Sequence, residues 1–251
     1  MLFMKPGHKI LVMTGAIQQG IVNLNGLRFN TLSAGPPDGE AVILLHGFPQ
    51  FADAWTNMMH TLAAAGFRAL AFDQRGYSAG ARPLEVDDYD LAHLTSDVLA
   101  FANQAVAPKF HLVGHDWGGF LAWKLVAEHP DRVGSLCVLS TPHVDAFLEA
   151  ARTDAEQQEK SKYIQFFKMP GGVAESALLS DHATRLHGVY QGKLTEQQID
   201  ANVRRLSEPG ALTTALNWYR ALDLKTRIGK IFVPTLSYGE TVILHAENMQ
   251  Q

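Results

Sequence analysis

Apolar and polar positions change their spacing along the chain, and the change predicts the order of the secondary structure. Residues 21–24 and 27–32 flank Asn25-Gly26, a dipeptide that suits the two positive-φ positions of a tight turn, so they predict an antiparallel hairpin. Farther along, short apolar runs alternate with segments of helical spacing, which predicts a mostly parallel sheet flanked by helices. The predicted strands are 41–45, 68–72, 110–113 and 133–139, and the predicted helices are 51–65, 90–106 and 117–128.

The pattern after residue 143 is different. Residues 145–222 show helical spacing only, with breaks at glycines and prolines. A strand pattern returns at residues 231–236, although Pro234 inside it suggests a strand edge or a bulge. We therefore expect residues 1–143 and 223–251 to form an α/β core, and residues 144–222 to form a helical cap inserted into it.

Composition narrows the possible functions. The 251 residues are 47% hydrophobic, which is enough to fill a sizeable core. The net charge of −4 argues against a nucleic-acid partner, and the absence of a long apolar run argues against a membrane span. The single cysteine, Cys137, cannot form an internal disulfide, which favours a cytoplasmic protein. The 11 histidines show no metal-ligand spacing, so we expect no metal and no cofactor.

The sharpest local motif lies between the strand 110–113 and the helix 117–128. Its residues are Gly114-His115-Asp116-Trp117-Gly118-Gly119. This is the form of a nucleophile elbow, in which small residues allow a strained turn that raises one side chain above the carboxyl edge of the sheet. Here that residue is Asp116, which the helix dipole should keep ionised and which would form an ester by attacking carbon. The alternative is that Asp116 is only a helix N-cap.

A second motif, His46-Gly47-Phe48-Pro49, directly follows the strand 41–45. In a parallel sheet this loop would face the elbow, so we expect the N–H groups of Phe48 and Trp117 to form an oxyanion hole. His46 and Pro49 are then candidates for the wall of the substrate pocket. The alternative for His46 is that it only supports its own loop.

These motifs, together with residues 73–78 and 140–143, resemble the α/β-hydrolase fold family. Within it they resemble the branch of soluble epoxide hydrolases and haloalkane dehalogenases, which use an aspartate nucleophile. The resemblance extends from about residue 21 to residue 236. It implies an α/β-hydrolase fold with a helical cap, a small apolar epoxide-like substrate and no cofactor.

Two tyrosines of the predicted cap favour the epoxide hydrolases. In that group two cap tyrosines hold the epoxide oxygen and help to protonate it, and the segments around Tyr163 and Tyr219 resemble theirs. The resemblance makes both residues candidate catalytic donors and places Phe166 and Trp218 in the pocket. Three alternatives stay open: a dehalogenase with the same Asp116, a non-catalytic small-molecule binding protein, or tyrosines that only pack the cap onto the core.

The hydrolytic half of the reaction has no clear residues. In relatives a histidine and its acidic partner follow the seventh strand, and only residues 241–251 remain after it here, too few for a further strand and helix. We therefore expect the last strand and helix to be missing and turnover to be doubtful. Glu240 and His245 are weak candidates, and Asp145 is a remote alternative for the acid. An exposed strand at 231–236 would favour association of copies.

Overall fold

The computed structural model describes residues 15–190, 192, 194–223 and 225–239 of the chain. The strands are β1 Gln18–Leu24, β2 Leu27–Ala34, β3 Ala41–Leu45, β4 Arg68–Phe72, β5 Phe110–His115, β6 Val133–Leu139 and β7 Thr235–Tyr238. The α-helices are α1 Thr56–Ala64, α2 Leu91–Gln104, α3 Trp117–Glu128, α4 Val144–Thr153, α5 Ala155–Lys160, α6 Lys162–Phe167, α7 Val173–Val189, α8 Glu196–Leu206 and α9 Ala211–Arg220. Short 3₁₀ helices cover Ala52–Trp55 and Val86–Tyr89.

The described strands form one sheet in the order β1-β2-β4-β3-β5-β6-β7. The hairpin of β1 and β2 is antiparallel, as is the pairing of β2 with β4, whereas β4, β3, β5, β6 and β7 run parallel. This confirms the predicted α/β class and the predicted hairpin, whose turn places Asn25 and Gly26 at positive φ. The central strand β3 is buried along its whole length. Because β3 and β5 are parallel neighbours, their carboxyl ends meet at one edge of the sheet.

Two of the predicted boundaries were wrong for identifiable reasons. The seventh strand is Thr235–Tyr238 and not residues 231–236, because Pro234 has no N–H and contributes only its carbonyl, which accepts from the Leu136 N–H at 2.9 Å. The helix predicted from residue 90 begins at Leu91, since the Asp90 carboxylate caps it by accepting from the His93 N–H at 2.8 Å.

Residues 144–220 lie between β6 and β7 in the sequence and contain α4 to α9. We refer to them as the helical segment. Three of its side chains donate hydrogen bonds of 2.8 Å to main-chain carbonyls of the core. These are the Trp218 indole to Arg75, the Tyr190 hydroxyl to Pro49 and the Thr214 hydroxyl to Gly76. In addition, Arg205 of α8 forms an ion pair of 2.5 Å with the buried Asp73. The helical segment is thus fixed over the loops that follow β3 and β4.

The outer side of β7 is exposed. All four residues of β7 are solvent-accessible, with Leu236 and Tyr238 each 65% exposed, and Phe232 just before it is 87% exposed. Within the described residues no strand pairs with this side. No helix in the same part of the chain has the length and the apolar character that a membrane span requires.

A buried ion pair fixes the loop after β4. Arg75 binds Asp97 of α2 through two nearly parallel hydrogen bonds of 2.7 and 2.9 Å, and the two side chains are only 5% and 2% exposed. Asp97 also accepts from the Asn25 side chain at 2.8 Å, which connects the hairpin turn to the same pair.

We predict that Asp97→Ala lowers the free energy of unfolding by about 3–5 kcal/mol, because it leaves a buried guanidinium without its partner. As the control, Glu128→Ala removes the surface partner of Lys124 and should cost less than about 1 kcal/mol. Urea unfolding of both variants measures the difference. Equal losses in the two variants would contradict this role of the buried pair.

Candidate active site

Asp116 stands on the sharp turn between β5 and α3. Its backbone has φ 53° and ψ −122°, a conformation that non-glycine residues rarely adopt. Glycines make this turn possible: a Cβ atom at Gly118 would lie 2.1 Å from the Leu45 carbonyl oxygen, and one at Gly114 would lie 2.4 Å from the Gly118 carbonyl oxygen. The geometry is that of the predicted elbow.

The loop after β3 closes directly onto the Asp116 carboxylate. The Phe48 N–H donates to Asp116 Oδ1 at 2.8 Å, and the Trp117 N–H is a further donor to the carboxylate. A Cβ atom at Gly47 would lie 2.3 Å from Asp116 Oδ1, so only glycine allows this approach. The structure therefore brings together the three residues that the two motifs predicted for a nucleophile and an oxyanion hole.

The environment of Asp116 opposes its negative charge. Burial raises the pKa of its carboxyl above the usual 3.8, while His115 and the N–H groups of Trp117 and Phe48 act in the opposite direction. The sequence predicts that the helix dipole keeps Asp116 ionised, and this stays a prediction. His115, expected only to pack beside the turn, also contributes to the electrostatics of the carboxylate.

The two predicted cap tyrosines lie beside each other. The ring centroids of Tyr163 in α6 and Tyr219 in α9 are 6.1 Å apart, and the Tyr219 ring is 5.0 Å from that of Trp117 and 5.7 Å from that of Phe48. The pKa of each hydroxyl is raised, first by burial and then by the charge of Asp116. Both hydroxyls are therefore neutral donors at neutral pH, near the carboxylate.

His46 supports its loop, which is the alternative that the sequence left open. Its Nε2 accepts from the Gln74 N–H at 3.1 Å, and its Nδ1 lies 3.2 Å from the Gly47 carbonyl oxygen. Burial lowers its pKa to about 3, so the ring is neutral. Both nitrogens are engaged within the core, which leaves neither free to face a ligand.

The other candidate pocket residues have distinct positions. The ring centroids of Trp218 and Trp117 are 5.8 Å apart, and the Trp218 indole N–H donates to the Arg75 main-chain carbonyl. Pro49 is buried, and its carbonyl is engaged by Tyr190. Phe166 is half-buried and contacts Phe167.

Phe167 packs against the aromatic residues of the site, although the sequence did not identify it as a candidate. Its fully buried ring lies 5.3 Å from Phe48, 4.9 Å from Tyr219 and 5.6 Å from Tyr163. The signal was available, since Phe167 follows Tyr163 by four residues and so shares its helix face. Tyr77, in the loop after β4, was also missed, and its ring lies 4.6 Å from His46.

Of the candidates for the acid and base, Asp145 lies in the described residues. Both carboxylate oxygens of Asp145 accept from main-chain N–H groups, from Ile228 at 2.9 Å and from Gly229 at 3.0 Å. Asp145 thus holds the chain where it returns to the core, and its role as an alternative acid stays a prediction. Glu240 and His245 lie outside the described residues. In the described part of the chain, no cluster of three metal-ligating side chains is found.

Comparisons with known proteins agree with this geometry. A family model described as alpha/beta hydrolase fold matches residues 40–219. The AB hydrolase superfamily protein YfhM of Bacillus subtilis is 34% identical over 221 residues, covering 86% of this chain and 77% of that protein. Epoxide hydrolase A of Mycobacterium tuberculosis is 32% identical over 247 residues, covering 83% and 75%.

Solved structures give the same picture. A structure described as a novel epoxide hydrolase of the alpha/beta hydrolases superfamily, in metagenomes from hot environments, has a TM-score of 0.77 and 28% identity, and covers 93% of this chain and 86% of that chain. The Bacillus megaterium epoxide hydrolase in complex with an inhibitor has a TM-score of 0.76 and 25% identity, and the shares are 87% and 81%.

The raised pKa of Asp116 makes a prediction about stability. Its ionised form is disfavoured in the fold, so Asp116→Asn should raise the melting temperature at neutral pH. This gain should disappear as the pH falls below the unfolded-state pKa, because the wild-type carboxyl is then protonated in both states.

The control is Asp145→Asn, for which the expected change in melting temperature has the opposite sign. The pKa of Asp145 is lowered despite a desolvation cost, because the N–H groups of Ile228 and Gly229 stabilise its charge. This variant should therefore lower the melting temperature at neutral pH. Thermal unfolding from about pH 3 to pH 7 checks both signs, and a destabilised Asp116→Asn at neutral pH would contradict the electrostatic description.

Proposed function

The chain belongs to the α/β-hydrolase fold family, and from this premise we propose that it is an epoxide hydrolase-like enzyme in which Asp116 attacks a ring carbon of a small epoxide. The observation that carries the proposal is a single arrangement: a buried carboxylate on an elbow, held by the Phe48 N–H at 2.8 Å and approached by Tyr163 and Tyr219. A carboxylate nucleophile forms an alkyl ester, which is the chemistry that opening of an epoxide requires.

The hydrogen bond to Oδ1 assigns different roles to the two carboxylate oxygens. With Oδ1 held by the Phe48 N–H, Oδ2 attacks the carbon and forms the new C–O bond. The ring C–O bond breaks, and its electron pair moves to the epoxide oxygen. In the ester Oδ1 becomes the carbonyl oxygen and already lies against the donors that later stabilise an oxyanion.

The two phenols supply the proton that the ring oxygen needs. Tyr163 and Tyr219 are neutral because burial and the charge of Asp116 raise their pKa values. One phenol donates its proton to the developing alkoxide while the other donates a hydrogen bond, and water later restores the phenol. Burial disfavours a phenolate, so proton transfer occurs only as the alkoxide forms.

Release of the ester requires a base that activates water. The histidines that contact carboxylates in the described residues do so elsewhere: His93 with Asp90 at the start of α2, His111 with Glu40 at the amino ends of β5 and β3, and His187 with Asp200 in the helical segment. We therefore propose that the ester on Asp116 persists in this chain and that reaction stops after one turnover.

Two other functions use the same residues in part. A haloalkane dehalogenase would attack with Asp116, but a halide leaves without a proton and has no need of two phenols. A non-catalytic binding protein would keep the site as a ligand pocket without ester formation. The paired phenols favour epoxide opening over both.

Intact mass measurement of the protein after incubation with styrene oxide tests the proposal. We predict a mass increase of one epoxide, absent in Asp116→Asn, and a rate of adduct formation about 10²-fold lower in Tyr163→Phe and Tyr219→Phe. The matched control is Tyr89→Phe, because this buried hydroxyl is bound to the Pro83 carbonyl and takes no part in the site. The control should react at the wild-type rate.

Each alternative predicts a different result. Failure of the wild type to gain mass would contradict the proposal, and steady production of diol would contradict the persistent ester. Bromide release from an alkyl bromide that survives Tyr163→Phe and Tyr219→Phe would favour a dehalogenase. Ligand binding without an adduct, retained in Asp116→Asn, would favour a binding protein.

We also propose that two copies associate through the exposed edge at β7. Within the described residues no strand pairs with the outer edge of β7, and this edge carries exposed apolar side chains, including Leu236 and Tyr238. Sedimentation velocity should show a dimer that Leu236→Lys weakens at least tenfold, since a charge opposes pairing at an edge. The control Leu84→Lys changes a leucine away from β7 that is even more exposed, at 82% against 65% for Leu236. A wild type that stays monomeric as its concentration rises would contradict this proposal.

A further inference from the structure

Tyr77 carries a buried hydroxyl with no partner among the described residues. It lies in the loop after β4 and is 3% exposed, and its hydroxyl oxygen accepts and donates no hydrogen bond in that part of the structure. Buried polar groups are nearly always paired, because an unpaired one destabilises the fold. An exception of this kind needs a reason beyond packing.

The ring of Tyr77 stands at the border between the core and the helical segment. It packs edge-on against His46 at 4.6 Å and lies 6.3 Å from Trp218, whose ring is 5.8 Å from Trp117. Its neighbours therefore belong to the loop after β3 and to the helix that carries Tyr219, and one of them, Trp218, contacts Trp117 of the elbow. Its pKa is raised, first by burial and then by the charge of Asp116, so the hydroxyl remains protonated within electrostatic reach of the carboxylate.

Other buried tyrosines of the chain are treated differently. The hydroxyl of Tyr89 donates to the Pro83 carbonyl at 2.7 Å, and that of Tyr190 donates to the Pro49 carbonyl at 2.8 Å. Among the fully buried phenolic hydroxyls in the described part of the chain, those of Tyr77 and Tyr219 have no hydrogen-bond partner, and both are influenced by the charge of Asp116. The fold thus leaves donors without partners where a substrate would lie.

We propose that the Tyr77 hydroxyl donates a hydrogen bond to a second oxygen of the substrate, and that the site therefore prefers epoxides with an ether, hydroxyl or carbonyl oxygen next to the ring. This rests on the proposed function. The epoxide oxygen takes its hydrogen bonds from Tyr163 and Tyr219 of the helical segment. Tyr77 comes from the core, so its hydroxyl reaches the substrate from a different side and serves a different atom.

The matched substrates are phenyl glycidyl ether and the epoxide in which a methylene group replaces its ether oxygen. The rate of adduct formation on Asp116 is measured by intact mass for wild type, Tyr77→Phe and Tyr89→Phe. Comparing each variant with wild type removes the intrinsic reactivity of the two epoxides. Tyr77→Phe should slow the ether about tenfold more than the hydrocarbon, since a site that binds an oxygen through a buried donor discriminates against its loss. Tyr89→Phe should react with both epoxides at the wild-type rate.

A stability measurement separates a ligand-binding hydroxyl from a structural one. If the Tyr77 hydroxyl is unpaired in the free protein, Tyr77→Phe should melt at the wild-type temperature or above it. Tyr190→Phe, which removes a paired hydroxyl, should melt lower. A lower melting temperature for Tyr77→Phe would overturn the proposal, because its hydroxyl would then be bonded within the protein.

The remaining outcomes are equally decisive. Equal slowing of both epoxides by Tyr77→Phe, or no slowing of either, overturns the role of Tyr77 and leaves the proposed function intact. If wild type forms no adduct with either epoxide, the proposed function fails, and equilibrium binding of the two corresponding diols makes the same comparison. Tyr77→Phe must then weaken the ether diol selectively, and equal affinities would overturn the inference.

Discussion

The hydrogen bond from the Phe48 N–H to the Asp116 carboxylate is the contact on which the site depends. It joins the loops after two adjacent parallel strands, β3 and β5, and it is possible only because residue 47 has no side chain to meet the carboxylate. The strained backbone of Asp116 turns the carboxylate toward this loop. The sheet fixes the distance between the two loops, and the hydrogen bond from the Phe48 N–H sets the orientation of the Asp116 carboxylate.

Charge and burial act against each other throughout the site. Burial raises the pKa of Asp116, and the donors around it offset only part of this cost. The same burial and the same charge keep the phenols of Tyr163 and Tyr219 protonated. In the proposed reaction, negative charge passes from the carboxylate to the substrate oxygen. A nucleophile that is costly to ionise and phenols that are difficult to deprotonate both favour this step.

The sequence predicted the parts of the structure that local chemistry determines. The elbow and the loop after β3 contain glycines at positions where a Cβ atom would clash with the backbone or with Asp116. These glycines are visible in the sequence, so the positions of Asp116, Phe48 and Trp117 could be predicted from it. The surroundings of His46 and Tyr77 depend on contacts between loops and with the helical segment, which are far apart in sequence, and no short pattern encodes them. His46 illustrates the limit, since its motif indicated a pocket and its partner, Gln74, lies on another loop.

The way in which the helical segment is attached has a consequence for divergence. Trp218, Tyr190 and Thr214 all donate to main-chain carbonyls of the core, and a carbonyl is present whatever amino acid occupies the position. A substitution at an accepting position therefore leaves the acceptor itself in place, provided that the backbone path is kept. Two of these positions are constrained for other reasons, because Arg75 is held by Asp97 and a Cβ atom at Gly76 would lie 2.7 Å from the Thr214 carbonyl oxygen. Under the proposed function, related proteins could therefore differ in the residues of the helical segment that line the site, and so in their substrates, while the residues around Asp116 stay the same.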